Sequence, residues 1–392
     1  MRLQLPEYST EYHSSMIPFN KIHLTGKELT NITDTLQKGK IGGDGHYTKA
    51  CESFFEKKYN FTKALLTPSC TAALEMAALL INIQPGDEVI LPSYNFVSMA
   101  NAFILRGAKL IFADSGRDNP NIDAKQIESL LTPATRAILV IHYGGIACDI
   151  VAIRKLADKH KLYLIEDAAQ AIDSYYKGKP LGSFGHLATF SFHETKNITC
   201  GEGGMLVIND KKFIKRAEII REKGTNRLSF IRNEIAKYSW VDLGSSHLAS
   251  DISAAFLYAQ LSELETIQAK RIQLWNWYYQ GFAQLAAKGL IQLPSVPNGA
   301  IHNGHVFYLI FGSKKIREAY IKHMALNNVQ AQFHYVCLHN SPFYKLTHGK
   351  RVLPMAKFYQ DRLVRLPLFY DLEEKNVKEI IALTSNFFST IC

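Results

Sequence analysis

The residues best able to do chemistry stand just past apolar runs. Leu162-Tyr163-Leu164-Ile165 leads into Glu166-Asp167-Ala168-Ala169-Gln170, and Ala188-Thr189-Phe190-Ser191-Phe192 leads into His193-Glu194-Thr195-Lys196-Asn197 and a glycine turn, Gly201-Glu202-Gly203-Gly204. A carboxylate at one strand end and a lysine past its neighbour are the pair that a pyridoxal phosphate site needs. The lysine forms a Schiff base, and the carboxylate keeps the pyridine nitrogen protonated so that the ring can take up electrons. Taken singly, Asp167 reads as a helix cap and Lys196 as a solvated loop residue; their joint occurrence favours a site. Thr67-Pro68-Ser69-Cys70-Thr71 adds a strand-to-helix turn whose Thr71 hydroxyl and helix-start amides suit a phosphate, with a simple N-cap as the plainer account. Pro92-Ser93-Tyr94-Asn95-Phe96 sets an aromatic past another strand end, where it can stack on a ring, although aromatics there more often belong to a core.

Two other motifs point away from chemistry. Gly42-Gly43-Asp44-Gly45 lacks the lysine and Ser/Thr of a P-loop and follows no convincing strand, so it reads as a tight turn. His193-Glu194 resembles the start of a zinc-protease helix, but position 197 is Asn and no second histidine follows, which argues against a metal.

The elements that must position these residues form a repeating pattern. Seven short apolar runs, near residues 64–66, 88–91, 109–112, 137–142, 162–165, 188–192 and 204–208, are bounded by Pro, Gly, Asp or Ser. Helical segments between most of them, such as 71–80 and 150–160, predict a mainly parallel seven-stranded α/β sheet covered on both faces. Open sheets of this kind place ligands at the carboxyl ends of their strands, which is where the carboxylate and the lysine fall. Residues 1–250 are expected to form this large domain. Residues 251–392 are expected to form a smaller α+β domain, with a long helical stretch at 251–287, strands at 306–311 and 331–336, and helices near 354–363 and 373–388.

Composition sets the outer limits. The chain of 392 residues is 47% hydrophobic and 20% charged, enough apolar surface for a large core and too much for disorder. Its net charge of +10 suggests an anionic partner. The densest basic stretch, Lys211 to Lys223, carries apolar residues at helical spacing and reads as a solvated helix face, so nucleic acid is not the expected partner. Six cysteines without a C-x-x-C pair argue against a disulfide framework or zinc knuckle and fit a reducing cytoplasm. The N-terminal Met1–Tyr8 stretch has no apolar h-region, and no segment approaches the roughly 20 apolar residues of a spanning helix, so no membrane association is expected.

With these motifs in place, the chain resembles the sugar aminotransferases of the DegT/DnrJ/StrS type from about Ile17 to Leu372. The most specific pieces are Glu166-Asp167-Ala168-Ala169-Gln170, the Phe190 to Gly204 stretch with Lys196, and His334-Tyr335-Val336-Cys337-Leu338-His339. The resemblance implies a type I aminotransferase fold dependent on pyridoxal phosphate. It gives Lys196 the Schiff base and the proton shuttle, Asp167 the pyridine nitrogen, Gln170 the ring hydroxyl and Phe96 the ring face. The Cys70 amide, Thr71 and Ser191 would hold the phosphate, and His334 and Tyr335 would lie on the substrate side. Within the family, the wording of Phe192–Gly204 and Pro68–Glu75 is similar to the branch that moves the amine of L-glutamate to C4 of dTDP-4-keto-6-deoxy-D-glucose. That branch forms dTDP-4-amino-4,6-dideoxy-D-galactose for surface polysaccharides such as enterobacterial common antigen or an O-antigen.

Two positions depart from the commoner family pattern. Cys70 replaces a Gly or Ala, which leaves a backbone contact intact. Ser246, in Gly244-Ser245-Ser246-His247-Leu248, replaces an asparagine that the family supplies from the neighbouring subunit of a homodimer. Rival readings are amination at C3, the 4-amino gluco epimer, and a non-catalytic regulator that binds the cofactor. A related dehydratase branch has histidine in place of the lysine, and Lys196 argues against it.

Overall fold

The computed structural model describes residues 16–348 and 351–391. The Met1–Tyr8 stretch and Cys392 lie outside the described residues. Each of the seven apolar runs is a strand of one sheet. In chain order these are β1 (Lys63–Thr67), β2 (Glu88–Pro92), β3 (Lys109–Ala113), β4 (Thr135–Ile141) and β5 (Tyr163–Asp167). A small hairpin of β6 (Tyr175–Tyr176) and β7 (Lys179–Pro180) follows, then β8 (Leu187–Ser191) and β9 (Gly204–Ile208). The sheet order is β1-β9-β8-β5-β4-β2-β3. Only β9 runs against its neighbours, β1 and β8; the other pairings are parallel.

The strands alternate between two apolar cores. Val89, Leu91, Leu139, Ile141 and Ile165 face one, while Ile90, Ile138, Val140 and Leu164 face the other. Burial on both faces explains why β2 and β4 read as unbroken apolar runs rather than alternating ones. Full burial of each Val, Leu or Ile contributes roughly 1.5–3 kcal/mol.

Helix α1 (Glu28–Lys38) and helix α2 (His46–Tyr59) pack on the helix Asp251–Leu261. The glycines of the 42–45 turn allow that approach. A Cβ on Gly45 would lie 2.3 Å from the Asp251 carboxyl carbon, and one on Gly43 would lie 2.7 Å from the Leu248 Cβ. The Asp251 carboxylate accepts from the amides of Tyr47 and Thr48 at 3.2 and 2.7 Å. The turn is thus a packing device. The basic stretch forms a helix, Ile214–Arg221, that buries Ala217 and Ile220 and exposes Lys215.

The second half departs from expectation in two places. The stretch 251–287 is broken into helices Asp251–Leu261, Leu264–Gly281 and Ala283–Ala287. The first break follows Leu261, where the Ser262 hydroxyl turns back to the Ala259 carbonyl. The second sheet comprises β10 (Ile291–Gln292), β12 (Phe307–Phe311) and β13 (Leu363–Leu366), in the order β10-β12-β13. A two-residue strand, β11 (Ala300–Ile301), instead joins β6. Residues 331–336 are not a strand, apart from a bridge between Gln332 and Arg365. After that bridge the chain turns His334 and Tyr335 into a cavity. The strand there is β13, in a segment where the sequence pattern suggested only a helix end. Among the described residues, no helix is long and apolar enough to cross a membrane.

Candidate active site

Strand register lines up the chemistry along one edge of the sheet. Thr67 and Ser191 both pair with Gly204, and Asp167 pairs with Ile141 on one side and Thr189 on the other. The segments that continue from these ends therefore converge. Cys70, Thr71, Phe96, Asp167, Gln170, Ser191, Lys196, His334 and Tyr335 all line one cavity of about 660 Å³. Ser246 does not. It is exposed on a loop of the same chain, bridged to Glu222.

Lys196 sits on a loop closed at its base by Phe192, whose amide donates to Gly203 and whose carbonyl accepts from Cys200, both at 2.9 Å. The next residue, Asn197, anchors the loop from the other side. Its amide nitrogen donates to Gln268 Oε1 and to the Asn303 carbonyl, each at 2.9 Å, and its oxygen meets His305 Nδ1 at 2.8 Å. The loop on either side of the lysine is thereby anchored. Burial pulls its ammonium below the ordinary lysine range, opposed by Cys70 and Asp167 and reinforced by Arg365. Asp167 is pushed the other way. Burial raises its carboxyl, while the Ala169 amide at 3.0 Å and nearby Lys196 offset part of the rise. Both shifts disfavour the charged forms, as burial does for an acid and a base in one cavity.

A hydrogen-bond network fixes the opposite wall. Gln170 accepts from the Gly144 amide at 2.6 Å and donates to the Tyr335 hydroxyl at 2.7 Å. His334 stacks on Tyr335 with ring centroids 3.6 Å apart, and its Nδ1 shares a 2.6 Å hydrogen bond with the Tyr143 hydroxyl. Burial drives His334 well below the ordinary histidine range, so the ring is neutral at physiological pH. Phe96 is 58% exposed at the mouth, with its ring 6.4 Å from Tyr335.

The turn after β1 offers donors. Ser69 caps helix α3 (Cys70–Leu80), accepting from the Ala72 amide at 3.1 Å. The first-turn amides of Cys70 and Thr71 have no intrahelical acceptor and point out of the helix start. Thr71 and Ser98 hydroxyls meet at 2.8 Å beside them. Gly204 makes the approach of β9 possible, because a Cβ there would lie 2.3 Å from the Cys70 nitrogen. Amides and hydroxyls at a helix N-terminus, with a lysine and a buried carboxylate across the same cavity, fit the phosphate, aldehyde and ring nitrogen of pyridoxal phosphate.

Several residues that line this cavity or support its walls escaped the sequence reading. Glu166 is fully buried and accepts from the amides of Gly182 and Phe184 at 2.9 and 2.7 Å and from His142 Nε2 at 3.0 Å. Asn303 donates to the carbonyls of Gln170 and Ile172 at 2.9 and 2.8 Å. Tyr143, Ser98 and Arg365 also belong here. The only sequence signal was Glu166, a second carboxylate ending an apolar strand.

The model of the DegT/DnrJ/EryC1/StrS aminotransferase family matches residues 23–384. An uncharacterized protein of Methanocaldococcus jannaschii, MJ1066, is 31% identical over 364 residues, covering 91% of this chain and 93% of that protein. Among solved structures, the aminotransferase TlmJ from Streptoalloteichus hindustanus superposes with a TM-score of 0.86 at 27% identity, covering 96% of this chain and 99% of that one. The PLP-form of Spr1654 from Streptococcus pneumoniae, described as a sugar aminotransferase, superposes with a TM-score of 0.88 at 25% identity, covering 96% and 100%.

Proposed function

Because the chain belongs to the DegT/DnrJ/EryC1/StrS aminotransferase family and is a pyridoxal phosphate-dependent sugar aminotransferase, we propose that it moves the amino group of L-glutamate to C4 of dTDP-4-keto-6-deoxy-D-glucose. The product is then dTDP-4-amino-4,6-dideoxy-D-galactose, made in the cytoplasm for a surface polysaccharide. The observation that carries the reading is the convergence of Lys196, Asp167 and the helix start at Cys70 on one cavity. The choice of sugar rests on the wording of Phe192–Gly204 and Pro68–Glu75.

The cofactor, when bound, supplies a ring that accepts the electrons left when a proton is removed beside the amine. The chain supplies the rest. Asp167 would pair with the pyridine nitrogen, whose positive charge would offset the burial that disfavours the carboxylate. The amides of Cys70 and Thr71 and the hydroxyls of Thr71 and Ser191 would hold the phosphate. Gln170, whose side-chain amide donates to the Tyr335 hydroxyl, would contact the ring hydroxyl. Phe96 would stack on one face of the ring. Lys196, kept from holding its proton strongly, takes a proton at Nζ and returns it, so one side chain serves as base and acid in both half-reactions. His334 and Tyr335 present a neutral, hydrogen-bonded wall to the sugar. In a homodimer, Ser246 of a second copy would complete the phosphate site.

The test is product analysis. The purified enzyme is incubated with L-glutamate and dTDP-4-keto-6-deoxy-D-glucose, and the product is examined by NMR. An axial amine at C4 is the expected result; an amine at C3, an equatorial amine at C4 or no amine overturns the assignment.

A further inference from the structure

Four segments meet at one buried polar node that lies outside the cavity. Asn303, on the crossing from β11 to β12, is 1% exposed, and Asn197 and Gln268, the latter in the helix Leu264–Gly281, are also buried. Neither Asn303 nor Gln268 lines the cavity. The side-chain amide hydrogens of both asparagines are fully committed. Asn303 Nδ2 donates to the carbonyls of Gln170 and Ile172 at 2.9 and 2.8 Å, and its Oδ1 accepts from the His305 amide at 3.0 Å. Asn197 Nδ2 donates to Gln268 Oε1 and to the Asn303 carbonyl, each at 2.9 Å. Its Oδ1 is left to accept, so the 2.8 Å contact with His305 puts the imidazole proton on Nδ1. Gln268 Nε2 closes the ring of contacts by donating to the Ile172 carbonyl at 3.4 Å. The packing leaves no slack, because a Cβ on Gly145 would overlap the Asn303 carboxamide.

The node joins the two segments that carry Lys196 and Gln170. The lysine loop is held through Asn197, the 170–172 segment through its carbonyls, and both sets of bonds end on Asn303 while Gln268 spans the same gap. We propose that Asn303 is a positioning residue for amine transfer, fixing the distance and angle between Lys196 and Gln170 without touching the cofactor. The inference rests on the aminotransferase reading, which gives those side chains neighbouring positions on the ring, the aldehyde carbon and the adjacent hydroxyl. The lysine nitrogen and that hydroxyl share one proton, and they share it best when the nitrogen lies in the plane of the ring. An anchored lysine is held at the angle the protein dictates; a freed one settles into the plane and keeps the proton to higher pH. Misplacement by about 1 Å in such a site lowers the rate by up to ~100-fold. A node that served folding alone would change stability and leave both properties untouched.

Holoenzyme is compared as wild type, Asn303→Ala, Gln268→Met and Thr384→Val. The first variant frees the 170–172 segment and the second loosens the lysine loop. The third removes a buried hydrogen bond between Tyr320 and Thr384, outside the cavity, and serves as a destabilised control. For each, the cofactor's lysine-linked band is titrated with pH, kcat and KM for L-glutamate are measured per bound cofactor, and urea unfolding is followed. Asn303→Ala and Gln268→Met are expected to raise the midpoint of the band by roughly 0.5–1 pH unit. They should lower kcat per bound cofactor roughly 10- to 100-fold, with KM within about threefold of wild type. Thr384→Val should lose stability and change neither reading. An unchanged or lowered midpoint in Asn303→Ala overturns the proposal, as does a control that moves the midpoint equally far. Should Asn303→Ala not fold, Gln268→Met decides by the same criteria. Wild-type holoenzyme without a lysine-linked band overturns the aminotransferase reading and this inference with it; a wild-type band that stays unmoved in both node variants overturns the inference alone.

Discussion

Replacing Glu166 with glutamine removes one acceptor atom from a side chain that is buried and fully committed. Oε1 accepts from the Phe184 and Gly185 amides, and Oε2 from the Gly182 amide and His142 Nε2. The histidine tautomer is fixed by its other nitrogen, which accepts from the Cys148 amide at 3.3 Å, so Nε2 carries the proton and donates. In Glu166→Gln, the amide oxygen can serve one of these pairs while the NH2 group faces two donors. Two buried donors then lack acceptors at about 1–3 kcal/mol each, and the surviving bonds lose their charge assistance. The sum is roughly 4 kcal/mol, about a thousandfold in the unfolding equilibrium. Urea unfolding of the apoprotein, followed by circular dichroism and tryptophan fluorescence, reads this directly. A variant within about 1 kcal/mol of wild type would refute the reasoning, since it would mean that water or backbone movement satisfies those donors.

Three further outcomes follow from the same geometry. Lys196→Ala should keep the fold and lose the cofactor's lysine-linked visible absorbance, with turnover at least a thousandfold down, about 4 kcal/mol in the barrier; measurable turnover near wild type in a stopped assay would count against the proton role. Gly204→Ala should weaken cofactor binding about tenfold or more, because a Cβ lying 2.3 Å from the Cys70 nitrogen must displace the helix start; equal affinity by fluorescence titration would show that β9 can move aside. The Asp167 carboxyl is raised in the folded state, so the native protein holds its proton to higher pH than the unfolded chain does. This contribution is fully present below the unfolded carboxyl value and is lost as pH rises through the folded one. Apo Asp167→Asn should therefore match or exceed wild type in stability at pH 7 and lose that pH dependence while binding cofactor more weakly; a less stable apo variant contradicts the sign.

What could be read from the sequence was whatever local pattern encodes. The seven strands are legible because double-sided burial makes each an apolar run fenced by turn residues, and strand ends in such a sheet carry the ligand side chains. Lys196 and Asp167 follow from that rule. Arg365, Tyr143 and Asn303 do not, because they reach the site through distant packing. Asn303 bonds to the Gln170 carbonyl across 133 residues, and Tyr143 to His334 across 191. Residues 331–336 carry a strand's residue types, yet after the single Gln332–Arg365 bridge their backbone turns His334 and Tyr335 into the cavity, a tertiary choice that propensity does not encode. The role of Gly42–Gly45 was equally hidden, since its close neighbours are Leu248 and Asp251.

The central claim is amine transfer through Lys196, and the most direct measurement is the visible absorbance of purified holoenzyme during sequential additions. L-glutamate should bleach the cofactor's lysine-linked band, and dTDP-4-keto-6-deoxy-D-glucose, added after the glutamate is removed, should restore it. A band that glutamate leaves unchanged contradicts the account at its first half-reaction, and one that bleaches but does not return with the keto sugar contradicts it at the second.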